Sequence, residues 1–365
     1  MEEELGPQQF GVRPALFKEW RAPRFGNENP QRIKSNVWEW LVRSKLSGYA
    51  ATQKMNASSA LAEGPTWSFD RFGQPVTELS DGRTVYIAGE HEDHYDPDFY
   101  IYNDVVVVHP DGAVDFYCYR KSDFPPTDFH TATLVDETIV ILGSLGYPDE
   151  RNWNDTQICV LSLDNFEIHR VKSSGTSPGW IHGHISTLSE DKQSIIVTKG
   201  KVDIGKGYSL RENFDDWKLN LDDWSWERLT SRNWTQFGIR RQDKKPFHLW
   251  DIRQALWALE LNFEDDYKAQ MERLEKLLGY QPDVNLVKDI YNFDREHADL
   301  HREEDVYNLF WIYMGQVRIR FTEEMHSLKV VIEGSLSPNK VSFIKEQLMD
   351  KLSALENSPC ELEEY

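Results

Sequence analysis

A degenerate unit recurs three times between Trp67 and Arg232, and its composition dictates sheet rather than helix. Each copy opens with a short turn-led segment: RFGQPVTEL (Arg71–Leu79), DFHTATLV (Asp128–Val135) and HGHISTLS (His182–Ser189). An apolar, β-branched run ending in glycine follows: TVYIAG to Gly89, TIVILG to Gly143 and SIIVTKG to Gly200. After a polar loop comes an Asn/Asp-led run: NDVVVVHPDG from Asn103, NDTQICVLSLDN from Asn154 and FDDWKLNLDDWSW from Phe214. Matching positions return at intervals of about 55 residues, and several short strands per period of that length is the pattern of propeller blades. Each copy is therefore expected to be one small sheet, with the loops of all three gathered into a platform for binding.

Particular residues carry a further likeness. His130-Thr131-Ala132-Thr133 and His184-Ile185-Ser186-Thr187 fit a His-Ser/Thr-Ala opening strand, and Phe116 and Trp226 fit a closing aromatic, with Ile168 in that place in the second copy. On these residues the region 67–232 resembles kelch repeats, as in the galactose oxidase and kelch type of β-propeller. The resemblance implies that His130 and His184 are structural, buried and bonded to a neighbouring loop. Two departures stand out. Ala88-Gly89, Gly143-Ser144 and Lys199-Gly200 replace the family's glycine pair. Three copies also fall short of the roughly four blades that a closed ring needs. A hidden blade, completion by other segments, or an open kelch-derived sandwich would each meet the shortfall. Kelch domains serve many roles, so function has to be argued from the site.

The flanks are read from periodicity. Residues 1–60 form an arm, rich in Phe10, Leu16, Phe17, Trp20 and Phe25, and a helix over Pro30–Gly48 with Ile33, Val37, Trp40 and Leu41 on one stripe. Residues 233–247, with Arg240, Arg241, Lys244 and Lys245 before Pro246, read as a linker. Residues 248–365 then read as a small α+β domain: helices around Leu249–Leu259 and Asp265–Leu278, a three-stranded meander, and a covering helix begun by Ser337-Pro338. The whole is mainly β with an α+β extension, following the kelch-like domain of residues 61–232.

Charge narrows the partners. The net charge is −20 over 365 residues, which disfavours nucleic acid and anionic membranes and suits a basic protein. Cys118, Cys159 and Cys360 lie far apart and give no disulfide framework. The opening MEEELGPQQF has neither basic region nor apolar core, and no apolar run approaches about 18 residues. The expectation is a cytoplasmic protein.

The densest polar segment is Glu90–Asp98, where Glu92, Asp93, His94, Asp96 and Asp98 offer mixed N and O donors to a cation or a basic surface. Its order does not match a calcium-binding helix–loop–helix. Trp180 and His182 are the second candidate binding group, and Arg71, Asp70, Asp128 and Arg151 would share their end of the blades if the copies superpose. No nucleophile, phosphate-loop or dinucleotide motif is present, and no cofactor is called for. These features point to a non-catalytic protein-binding protein that neutralises a basic partner, a cognate immunity protein against a bacterial toxin being one concrete form. The alternative is a metal-dependent or carbohydrate-active enzyme built on the acidic His/Asp loop and the Trp/His-rich blade ends. A third is a structural repeat protein whose open edge is closed by a homodimer.

Overall fold

The structure, a computed structural model, describes residues 5–92, 99–205, 210–293, 299–304 and 306–364. It is β-rich with several helices, and its antiparallel sheets are not closed into a barrel. The chain divides into two compact units, Met1–Ser231 and Arg232–Tyr365.

In the first unit each copy of the repeat folds as an up-and-down sheet. The first sheet runs Val76–Glu78, Thr84–Ile87, Asp104–Val108 and Val114–Cys118, with Gln31–Ile33 added at its edge. The second runs Thr131–Val135, Thr138–Leu142, Ile158–Ser162 and Ile168–Arg170. The third runs Ile185–Leu188, Ser194–Thr198, Trp217–Asn220 and Trp226–Arg228. Phe116, Ile168 and Trp226 all fall on the last strand of their sheet.

Alternation along the strands stacks the sheets. Val85, Ile87, Val105 and Val107 of the first sheet pack against Ile139, Ile141, Cys159 and Leu161 of the second. The other face of the second, Val140, Leu142 and Ile158, packs against Ile195, Val197, Trp217 and Leu219 of the third. Each such buried aliphatic side chain contributes about 1.5–3 kcal/mol. The outward face of the first sheet, Val106, Phe116 and Cys118, lies under the N-terminal arm, where Trp38 stacks on Trp67 at 4.8 Å between centroids. The far face of the third sheet is mixed: Thr187, Thr198, Lys218, Asn220 and Glu227 share it with half-buried Ile196 and exposed Ile185.

The arm corrects one expectation. Its helix covers Asn36–Ser44, begun by Ser35, whose hydroxyl accepts the Trp38 N–H at 3.2 Å. Gln31–Ile33, read as helix from the apolar stripe, is instead a strand opposite Phe116–Cys118. Ile33 belongs to the same apolar cluster, reached through a different backbone.

The second unit holds a six-stranded antiparallel sheet in the order His301–Arg302, Leu309–Met314, Val317–Glu323, Leu328–Glu333, Thr235–Arg241, Cys360–Glu364. Its apolar face, including Phe237, Ile239, Ile319, Phe321 and Val330, packs with Leu249 and Ile252 of helix His248–Glu260 and Ile344, Leu348 and Leu352 of helix Pro338–Glu356. The segment read as a linker is thus largely a strand of this sheet, paired on both edges, with Leu328–Glu333 and with the edge strand Cys360–Glu364. Phe237 and Ile239 are buried, and Arg240 pairs with Glu361 at 2.8 Å. The alternating apolar positions set its conformation, Arg240 and Arg241 are answered by carboxylates, and Lys244 and Lys245 are exposed in the turn that follows. Glu356, fully buried, ties the unit together: it accepts from Arg241 at 2.9 Å and from the N–H groups of His248 and Leu249 at 2.8 and 2.9 Å, and so caps a helix distant in sequence.

Candidate functional site

The opening segments of the three repeats meet at one end of the first unit. Phe129 donates its N–H to the Gly73 carbonyl at 3.0 Å, and Gly183 donates to the Phe129 carbonyl at 2.7 Å, a main-chain ladder across all three copies. The glycines ending the second strands make room for it. Gly89, Gly143 and Gly200 have φ of +92°, +73° and +87°, a region that favours glycine. A Cβ at Gly143 would collide with the Ile181 carbonyl and the His184 ring.

Behind the ladder the polar side chains are mostly locked. Arg71, buried, pairs with Asp104 at 2.5 Å, and Asp104 also accepts the Trp67 indole N–H at 2.7 Å. Arg151 pairs with Asp203 at 2.6 Å and donates to the Gly146 carbonyl. Trp180, buried, donates its indole N–H to the Leu145 carbonyl at 2.9 Å. His184 Nε2 lies 3.0 Å from the Thr131 hydroxyl. His130 is buried too, but neither ring nitrogen has a hydrogen-bond partner among the described residues, so the expected bond to a loop is not seen. Burial pushes His130 down to about 3, with the nearby His184 adding to the effect, and pushes His182 and His184 down to about 4.

One carboxyl pair stands apart from this braced set. Gly89 donates to the Thr127 carbonyl at 2.9 Å, and the residues that follow, Glu90 and Asp128, sit beside that bond. Asp128 Oδ1 accepts the Gly146 N–H at 2.6 Å and the Ser144 hydroxyl at 3.4 Å. Its other oxygen has no hydrogen-bond partner among the described residues. Burial raises both carboxyls, and Glu90 is pushed up to about 7, with Asp128 and then Glu92 reinforcing the shift.

Exposed aromatic side chains stand among the loops that follow. Phe72 forms a two-bond bridge with Glu90, at 2.8 and 2.9 Å, and is 62% exposed. Phe99, 46% exposed, meets Tyr147 edge-on at 5.9 Å. The Tyr147 hydroxyl accepts the Ile101 N–H at 3.0 Å, and Ile101 is the strand partner of Glu90. Trp153, 49% exposed, lies against Gly205. Phe72, Tyr147 and Trp153 were not among the sequence candidates; an aromatic in a loop differs from one in a core only through its neighbours. A cleft of about 290 Å³ beside Phe72 is lined by Lys45, Ser47, Asp70, His91 and Glu92.

The sequence candidates distribute unevenly. Glu92 is exposed at this end, whereas Asp93, His94, Asp96 and Asp98 lie outside the described residues. Trp180 and His182 are buried and present no side chain to a ligand. Among the described residues no three His, Cys, Asp or Glu side chains converge as a metal ion requires, and no helix is long and apolar enough to cross a membrane.

No family model and no curated protein matches this chain. Among solved structures it is similar to one described as the structure of YjhT, with 9% identity over 73% of this chain and 82% of that one, at a TM-score of 0.33. A likeness at that level informs neither fold nor function.

Proposed function

We propose that this is a non-catalytic binding protein, an open stack of three kelch-like blades whose loop end holds a basic protein partner in the cytoplasm. Neutralisation of that partner, as a cognate immunity protein neutralises a toxin, is the concrete form of this reading. The observation that carries it is the loop end itself, where exposed Phe72 is bridged to Glu90, exposed Phe99 meets Tyr147, and Trp153 is exposed against Gly205. Aromatic anchors with charge around them are how protein interfaces combine affinity with steering. The net charge of −20 adds attraction for a basic surface.

The test is affinity capture from native lysate with the wild type and the Phe72→Ala/Trp153→Ala variant. A basic protein held by the wild type, lost by the variant and associating more slowly at high salt supports the reading. A capture that the double variant retains, or no partner at all, counts against it.

A carbohydrate-active enzyme is the second reading, favoured by Glu90 beside Asp128. A carboxyl that keeps its proton near neutrality is suited to general acid catalysis. Turnover of an aryl glycoside, abolished by Glu90→Gln, would establish it in place of the first.

A further inference from the structure

We propose that the second unit binds a small monocarboxylate with an apolar body, in the cleft between helix His248–Glu260 and the strands His301–Arg302 and Leu309–Met314. The cleft has a volume of about 370 Å³. Arg253, Leu256, Trp257 and Glu260 recur at helical spacing and give it one wall. Leu300, Arg302 and Phe310 give the second, with Arg302 opposite Phe310 in the sheet, and Lys288 of helix Val284–Asp289 adds a third. Tyr307 sets the position of Trp257, whose ring stacks on it at 4.9 Å.

Arg253 is the fixed cation of this cleft, and it is 9% exposed. Its Nε and Nη2 form a fork on Glu323, at 2.9 and 2.8 Å, and the Tyr291 hydroxyl donates to the same carboxylate at 2.6 Å. The guanidinium also lies over the Phe310 ring at 4.4 Å, so its orientation is set before any ligand arrives. Nη1 has no hydrogen-bond partner among the described residues. A guanidinium nitrogen held in this way is a preorganised donor on the cleft wall. Lys288 is exposed and has no ion pair among the described residues, whereas Arg302 is paired with Glu260 at 2.6 Å. These three cations against the two carboxylates of Glu260 and Glu323 leave one positive charge, on a chain whose net charge is −20. One surplus charge matches a carboxylate; a doubly charged phosphate monoester would leave a negative charge unanswered. The rest of the lining selects the body of the ligand. Leu256, Trp257 and Phe310 offer apolar surface, and Leu300 is left 41% exposed. A ring or short alkyl chain would cover that surface while its carboxylate bonds Nη1 of Arg253 and the Lys288 ammonium.

The probe is phenylacetate, titrated into the full chain at about pH 7, where its carboxyl is ionised. Binding is followed by NMR on the Trp257 indole signal, assigned with Trp257→Phe. Phenylacetamide and phenyl phosphate are separate arms, and N-acetyl-Gly-Phe stands for a peptide C-terminus in place of a free acid. The expected result is saturable binding of phenylacetate, absent with the amide and weaker with phenyl phosphate. Lys288→Glu should weaken it by at least about tenfold, and Lys276→Glu, the same charge change at an exposed position outside the cleft, should leave it unchanged. Arg253→Gln should abolish binding; where that variant, which strips buried Glu323 of its cation, does not fold, Lys288→Glu decides. Tighter binding of N-acetyl-Gly-Phe than of phenylacetate supports the site and identifies a chain terminus as its source. Equal binding of the amide, tighter binding of phenyl phosphate, or retention by Lys288→Glu overturns the proposal. Phe72→Ala/Trp153→Ala should bind phenylacetate as the wild type does, so this site and the loop-end reading stand or fall separately.

Discussion

Ionisable groups buried at the loop end set how stability follows pH. His130, His182 and His184 are held well below the ordinary 6.5, at about 3, 4 and 4. The unfolded chain takes up protons near 6.5 while the fold refuses them, so stability present above that pH is lost as pH falls from 6.5 toward 4. Glu90 acts with the opposite sign. Raised from 4.5 to about 7, it contributes stability fully present below 4.5 and lost as pH rises through 7. Thermal scans should therefore show the first unit's melting temperature falling steeply below pH 6.5. Glu90→Gln should raise that temperature at about pH 8 and leave it unchanged at about pH 4. Gly143→Val should destabilise by more than about 2 kcal/mol through strain and overpacking, read by urea unfolding. The glycines were legible because each ends a β-branched run. The Glu90–Asp128 pair was not, since a backbone bond between two different repeats brings it together and neither residue's own neighbours announce it.

Elements were legible where one period dominated and obscure where two signals competed. Helix Pro338–Glu356 follows its apolar stripe and its Ser337 cap, with the Ser337 hydroxyl accepting from Lys340 at 3.4 Å. Thr235–Arg241 alternates correctly for a strand at Phe237 and Ile239, but the run of basic residues around it masked that period. A strand paired on both edges does not open as a linker does. Limited trypsin digestion of the native protein should spare Arg240 and Arg241, and early cleavage there would contradict the sheet order. Glu356 joins three elements with no local sequence signal. Glu356→Ala leaves Arg241 facing an emptied buried site and the helix at His248 uncapped, and should cost about 3–5 kcal/mol in denaturant unfolding.

At the scale of the first unit, the sheets differ in what covers them. The middle one is buried on both faces, the first shares its outer face with the arm, and the third keeps one that carries Lys218, Asn220 and Glu227 beside Ile185 and Ile196. Hydrogen exchange should accordingly be slowest in Ile139–Leu142 and Ile158–Leu161; faster exchange there than in Ser194–Thr198 would refute the stacking order. The three stacked repeat sheets were readable from the repeat interval. The two smaller sheets, Trp180–His182 with Lys201–Asp203 and Leu210–Glu212, and Glu90–His91 with Tyr100–Ile101, were not, nor was how the stack ends, because that depends on which faces carry charge. The same asymmetry governs how such a chain can lengthen. A tandem duplication of the middle repeat would present each neighbour with an apolar face and lengthen the array. A duplicate of the third placed after its parent would have to bury Lys218, Asn220 and Glu227, so growth by copying is open in the interior and closed at that terminus.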